Sequence, residues 1–475
     1  MTRPAIDPIT LEVARNRFSA IADEMGSVLR RTSLSPNIKE RADCSAAVFT
    51  VDGEMLAQAE HIPVHLGSMP ESVAACLRRF DPIPGSQYAV NDPFPGGTHL
   101  NDLTIVAPVF VRNVHVAWVA NRAHHADVGG EAPGSMPAHA RTVDQEGYVV
   151  APTQAVRAGA WLDDFVGPFV AASRTPWERR GDLDAQLGAN AVAARRLAEL
   201  VEREGRIRFR VVAEALLGYG QRRMEAALAA LPDGEYAFDD RMELGERDVE
   251  MRVTIRIDAG SLHADFRGTD PQVEANFNAV EAVTRSCLYY AVRVATDPSI
   301  PANGGCYRPL SLHAPVGTIV NPTPPAAVAA GNVETSQRTM NNILVGRDHV
   351  SPSKRTTPSV PWPHTVWWPP PRSGSRPCIP SNDGIQREPS GATPVAGGAR
   401  FPRRRCRSAR QEARDEWSMS LSDSAAFLVA CSSSVRIPSI AMRGVVAKTT
   451  PAPSSLVAVG WGDPVPLTPR IGTTG

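Results

Sequence analysis

An α+β fold, with mixed, largely antiparallel sheets and long amphipathic helices, is predicted by three features of this 475-residue chain. Residues 182–203 and 206–230 carry apolar side chains at helical spacing. The segment DGEYAFDDRMELGERDVEMRVTIRIDAGSLHADF, residues 233–266, alternates as antiparallel strands do. AAVFTVDGEML places Asp52-Gly53 where a tight hairpin turn needs positive φ angles. Long helices mixed with hairpins indicate a segregated α+β arrangement.

Taken in order, Asp7-Pro8 is a helix start, an N-cap followed by proline at the first helical position. Leu11, Phe18, Ile21, Met25 and Val28 then mark one face of that helix. LTIVAPVFV (103–111) and VHVAWVANR (114–122) read as two strands joined at Arg112-Asn113. The two long helices and the alternating segment follow, and NFNAVEAVTRSCLYYAVRVA (276–295) returns to a helix. Beyond residue 346 neither period persists. Residues 1–346 hold 33 Lys+Arg against 42 Asp+Glu, and residues 347–475 hold 17 against 8, so a net charge of zero conceals two unlike parts. The second part also carries 18 of the 42 prolines, a density that prevents long helices or ladders. The C-terminal quarter, a Pro/Arg/Ser-rich tail, is therefore expected to be irregular or disordered.

The totals exclude several classes. No stretch approaches the ~18 apolar residues that span a bilayer, and MTRPAIDPITLEV lacks the basic and apolar regions of a secretory signal. Seven cysteines with no CxxC pair suggest a reducing cytoplasm rather than a disulfide framework. There is no GxxxxGK[ST] and no GxGxxG between strand and helix, so nothing obviously cradles a nucleotide. Arg403 to Arg405 could touch phosphates, but a lone arginine run is weak evidence, and nucleic acid is not the expected partner.

The chemistry concentrates in one region. Seven of the 11 histidines lie between His61 and His139. A two-residue turn at Arg112-Asn113 pairs 111 with 114, which sets Asp102 opposite Ala123 and His124 opposite Asn101. His99 lies about one turn before Asp102, after Gly96-Gly97, and that turn must redirect it, since 99 and 102 face opposite sides of a straight strand. His99, Asp102 and His124 then meet at the open end of the hairpin. Two imidazoles and a carboxylate with free coordination positions suit Fe(II), Mn(II) or Zn(II). A register slip of one would exchange His124 for His125, and the competing reading is a polar loop whose histidines hydrogen-bond to backbone. His61 and His65, in a loop near Met69-Pro70, are candidates for contacting substrate or for supporting the site. Asp127 and His125 are the catalytic candidates, with Asp127 or Glu131 able to orient a ligand histidine through its second nitrogen. His115 is expected to be an ordinary strand residue, and Lys39, Glu40, Arg41 and Asp43 a solvated surface.

Six ordered motifs within residues 5–346, SPNIKERADCSAAVF, AEHIPVHLGSMPESV, NDPFPGGTHLNDLTIVAPVF, HHADVGGEAPGSMP, NFNAVEAVTRS and PPAAVAAGNVETSQR, resemble the hydantoinase B/5-oxoprolinase family. That family includes the large subunit of acetone carboxylase. The resemblance implies the B-type subunit of an ATP-dependent hydrolase acting on a small cyclic amide such as a hydantoin or 5-oxoproline. ATP would be handled by a partner, an actin-like ATPase subunit of the hydantoinase A type. It also implies an HxxD pair and a later histidine as metal ligands, matching His99, Asp102 and His124, and a metal-activated water as nucleophile. The alternatives are a carboxylase-type subunit using the same metal, or an inactive truncated remnant.

The chain departs from that family at one junction. After GNVETSQR a further helix is expected, yet Arg338 runs straight into TMNN, which implies an internal deletion near 338–339. Residues 1–346 would form the catalytic region, and 347–475 would be read out of frame or disordered.

Overall fold

A computed structural model describes residues 6–348, apart from residues 61, 245 and 246, all within one compact unit. The tail from residue 349 and His61 lie outside the described residues. The α+β class holds, with antiparallel pairing dominant.

Helix α1 (Pro8–Thr32) starts as the sequence requires: the Asp7 carboxylate accepts the Thr10 N–H. After the short α2 (Pro36–Lys39) come β1 (Cys44–Thr50) and β2 (Met55–Glu60), joined at Gly53, whose φ of 86° is the conformation the turn needs. Next are α3 (His65–Leu77), β3 (Gln87–Val90), β4 (Asp102–Val111) and β5 (Val114–His124), then α4 (Val143–Glu146), β6 (Thr153–Arg157), β7 (Ala160–Trp161) and α5 (Asp163–Ala172). The long pair is α6 (Pro176–Glu204) and α7 (Arg206–Ala229), followed by β8 (Gly234–Leu244), β9 (Arg247–Asp258) and β10 (Ser261–Asp265). Finally come α8 (Glu281–Ala295), α9 (Gly304–Tyr307), β11 (Leu310–His313) and α10 (Ser336–Asp348). The Arg338–Thr339 junction lies inside α10.

Seven strands form one sheet in the order β2-β1-β5-β4-β3-β6-β7, and β11-β10-β9-β8 form a second, in which only β10 and β11 run parallel. The first sheet is covered on both faces. Ala46, Val48, Val109 and Val119 join a core with α1, α6 and α7, whereas Ala47, Phe49, Val106 and Ala120 join another with α3, α8 and the second sheet. Double coverage explains why LTIVAPVFV is a continuous apolar run rather than an alternating one. In the second sheet β8 alternates between partly buried and exposed positions, which is why its sequence alternates.

Segment 141–146 clasps segment 326–329. Both oxygens of the buried Glu146 carboxylate accept the Val328 N–H, and one also accepts that of Ala329. Burial nevertheless pushes this carboxyl up to about 7, overriding those bonds. A folded-state value above the unfolded one means the native protein holds the extra proton. The contribution is therefore complete below about 4.5 and lost as pH rises through about 7. The neutral isostere Glu146→Gln should lack this loss. Its stability relative to wild type is expected to grow by up to about 3 kcal/mol between pH 4.5 and 8, read by denaturant melts across that range. A difference independent of pH would contradict the assignment.

Candidate metal centre

The hairpin that carries the site differs from the straight register in one respect. Arg112 (φ 50°) and Asn113 (φ 64°) both take left-handed conformations, so the turn has two residues, and Val111 pairs with Val114 as the sequence predicts. A bulge between Val109 and Phe110 then shifts the pairing by one. Asp102 consequently lies directly opposite His124 rather than Ala123. The slip thus brings His124, not His125, onto the site.

His99 reaches the same place through a turn. The Asp102 N–H donates to the His99 carbonyl (3.1 Å), folding residues 99–102 back so that both side chains point one way. The glycines before it permit this. A Cβ on Gly97 would stand 2.4 Å from the Asp92 carbonyl oxygen, a backbone atom with no freedom to yield. Gly97→Ala is therefore expected to destabilise the fold by about 1–3 kcal/mol and to weaken metal binding by displacing His99. A melt beside a metal titration checks both effects.

The donor atoms converge tightly. His99 Nε2 lies 3.2 Å and His124 Nδ1 3.3 Å from the same oxygen, Asp102 Oδ1. Around an ion with bonds of about 2.1 Å, neighbouring donors stand about 3.0–3.4 Å apart. His99 and Asp102 are buried and His124 nearly so, yet neither His99 nitrogen nor Asp102 Oδ1 has a hydrogen-bond partner. Three unpartnered buried polar atoms would each cost about 1–3 kcal/mol. The spacing of two of them, His99 Nε2 and Asp102 Oδ1, with His124 Nδ1 fits a shared cation better than a polar loop. Asp43 Oδ2 stands 3.7 Å from His124 Nδ1 and offers a fourth donor atom.

The electrostatics suit a cation. Burial alone would raise the Asp102 carboxyl, but His99, His124 and His65 hold it well below the usual range. Burial likewise opposes charge on His124, and the carboxylates of Asp43 and Asp102 outweigh it, raising its pKa.

The other candidates are placed as follows. His65 is not in a loop: it begins α3, fully buried, with Nε2 3.3 Å from Asp102 Oδ2 and Nδ1 2.9 Å from Ser45 Oγ. His125 points through the other face of the sheet, against the Phe169 ring and with Nε2 3.0 Å from Gln186 Oε1. Burial, reinforced by Arg179, pushes its pKa down to about 4, so it stays neutral. Asp127 bonds to neither His99 nor His124. It accepts N–H groups of Gly129, Gly134 and Arg174 and pairs with the Arg174 guanidinium at 2.9 Å. Those bonds organise the loop after β5, and Glu131 pairs with exposed His139 instead. The expectation that Asp127 or Glu131 orients a ligand histidine is thus corrected by geometry. His115 is a half-buried strand residue whose ring is tilted against Phe110 and edge-on to Trp118.

Asp43 was expected at a solvated surface. The pairing of β1 with β5, Cys44 opposite Ala123, brings it beside His124 instead. Those strands are more than 60 residues apart in the chain, so no local pattern announces the contact. The same pairing, together with the packing of α3 on the sheet, makes a second acidic and imidazole grouping of Asp43, His65 and Asp102.

A family model described as hydantoinase B/oxoprolinase matches residues 7–368. The chain belongs to the hydantoinase B/oxoprolinase family. It is 38% identical to an uncharacterized protein of Methanocaldococcus jannaschii over 74% of this chain and 63% of that one. It is 35% identical to 5-oxoprolinase 1 of Arabidopsis thaliana over 71% of this chain and 29% of that protein. The chain thus spans under two thirds of either relative's length. Among solved structures, the ATP-dependent caprolactamase from Pseudomonas jessenii is similar, with a TM-score of 0.68 and 28% identity over 73% of this chain and 61% of that one. No helix among the described residues is long and apolar enough to cross a membrane.

Proposed function

We propose that this chain is the B-type, ring-opening component of an ATP-dependent cyclic-amide hydrolase. His99, Asp102 and His124 would hold a divalent metal, Mn, Fe or Zn, with Asp43 as an additional oxygen donor. The observation that carries this reading is the convergence of buried, unpartnered His99 Nε2 and Asp102 Oδ1 with His124 Nδ1 at 3.2–3.3 Å. Such an ion supplies Lewis acidity and a water acidic enough to ionise near neutral pH.

The residues of the chain do the rest. Two imidazoles and the Asp102 carboxylate would make a donor set of one negative charge, or two with the Asp43 carboxylate bound, so a divalent ion held there would keep Lewis-acid character. Asp43 and His124 are the least buried of the four, so substrate would approach across them. A five-membered cyclic amide, a hydantoin or 5-oxoproline, is the substrate class that the family and the similarity to a 5-oxoprolinase support. The chain corresponds to 29% of that relative and has no phosphate-binding loop motif, so ATP would be handled by a partner, an actin-like ATPase subunit. The similar caprolactamase, ATP-dependent by its own description, fits the same scheme.

Reconstitution tests this. The purified chain, an A-type ATPase subunit, ATP and a divalent metal should together open hydantoin or 5-oxoproline, followed by mass spectrometry of the product. Omitting any one component should abolish turnover. Ring opening that survives removal of this chain would refute the reading, and bicarbonate-dependent carboxylation would assign a carboxylase-type subunit instead.

A further inference from the structure

The two oxygens of Asp102 are unlike. Oδ2 accepts the Thr98 hydroxyl (2.5 Å) and faces His65 Nε2 at 3.3 Å, whereas Oδ1 has no hydrogen-bond partner and faces His99 and His124. Both nitrogens of His65 are engaged. Ser45 is buried, and its hydroxyl lies 2.9 Å from Nδ1. A hydroxyl donating to Nδ1 leaves the ring proton on Nε2, directed at Asp102 Oδ2.

The element carrying His65 is itself fastened to the sheet. His65, Ser68 and Ser72 fall on one face of α3, at i, i+3 and i+7. The Arg122 guanidinium, on β5 two residues before His124, donates to the Ser68 hydroxyl and carbonyl and to the Ser72 hydroxyl (2.6 Å). Ser72 in turn donates to the Gly96 carbonyl (2.8 Å), the start of the turn that delivers His99. Helix, hairpin and glycine turn are thereby held in one register.

Building on the metal reading above, we propose that His65 is a positioning residue rather than a ligand or a substrate contact. With Ser45 behind it, His65 fixes Oδ2 of Asp102 as a hydrogen-bond acceptor and turns Oδ1 alone toward the metal, making Asp102 a one-oxygen ligand of a single ion. Asp43, His65 and Asp102 are close enough to suggest a second ion. The engaged Oδ2 and the two engaged nitrogens of His65 oppose it, because no free lone pair remains on the imidazole.

Metal titration of the full chain, stripped with a chelator, decides this. Zn(II) and Mn(II) are titrated against a chromophoric competitor, and bound metal is counted by elemental mass spectrometry, without reference to turnover. Wild type should bind one equivalent. His65→Ala should still bind one, about 10–100-fold more weakly. His65→Gln, whose amide can donate to Oδ2, should recover part of that loss, and Ser45→Ala should lose several-fold. Two equivalents in wild type falling to one in His65→Ala would make His65 a ligand and overturn the proposal. So would wild-type affinity in a folded His65→Ala protein, or in Ser45→Ala should the first variant fail to fold. A wild type that binds no ion removes the metal reading itself, whereas one equivalent untouched by either variant removes only the role of His65.

Discussion

Asp102→Asn protein is expected to fold and to bind divalent metal more than about a hundredfold more weakly than wild type, beyond the upper end of what an outer hydrogen-bond partner contributes. The reason lies in which way the amide must turn. Thr98 and His65 both present donors to the Oδ2 side of Asp102, so the asparagine carbonyl oxygen settles there. Its NH2 group then faces His99 Nε2 and His124 Nδ1, where it offers no lone pair to a cation. The substitution also removes the one fully buried negative charge of the cluster. Far-UV circular dichroism in chelator checks the fold, and a competition titration checks the metal. Wild-type affinity in the folded variant would mean that the ion sits elsewhere. Hydrolysis in the reconstituted system should fall in parallel, since the oxygen that remains at position 102 is held toward Thr98 and His65.

Much of this centre was legible because its parts are close in sequence. His99 and Asp102 share one turn, and a two-residue turn at Arg112-Asn113 fixes their distance from His124 to within one residue. The residual error was the bulge near Phe110, which single-strand alternation does not encode. It moved the partner of Asp102 from Ala123 to His124 and so strengthened the grouping. What local pattern missed depends on distant pairing. Asp43 joins through the contact of β1 with β5, and His65 through the packing of α3 on that sheet. His65 reads as a loop residue because Pro63 and Met69-Pro70 flank it, yet α3 begins at it and tolerates Pro70 in its second turn. Asp127 and His125 were drawn toward the site by adjacency in HHAD. Strand alternation sends His125 to the opposite face from His124, and Asp127 lies past the end of β5, where it serves the loop. The long helices and the alternating β8–β10 segment were recovered because their periods come directly from which faces are buried.

The largest stability loss is expected at Arg122. Its side chain is fully buried, with no carboxylate in ion-pair contact among the described residues, and burial, opposed only in part by the charge of Asp102, pushes its pKa down to about 10, leaving it charged at neutral pH. The charge is tolerated because Nε donates to Thr104 (2.9 Å) while the other nitrogens donate to Ser68 and Ser72. Arg122→Ala removes all of these bonds and leaves a cavity between α3 and the sheet, a loss of about 3–5 kcal/mol. Arg122→Met separates the two contributions. Methionine refills much of the volume, and the Ser68 and Ser72 hydroxyls keep their own acceptors, the Val64 and Gly96 carbonyls. It also spares the protein a buried cation, so its loss should be less than half that of alanine. Equal losses would show that the hydrogen bonds, not the packing, hold α3 in place. Denaturant midpoints of the chelated protein provide the comparison. Because α3 carries His65, both variants should also bind metal more weakly, and to a similar extent, since both lose the bonds that Arg122 donates to Ser68 and Ser72 whatever volume is refilled.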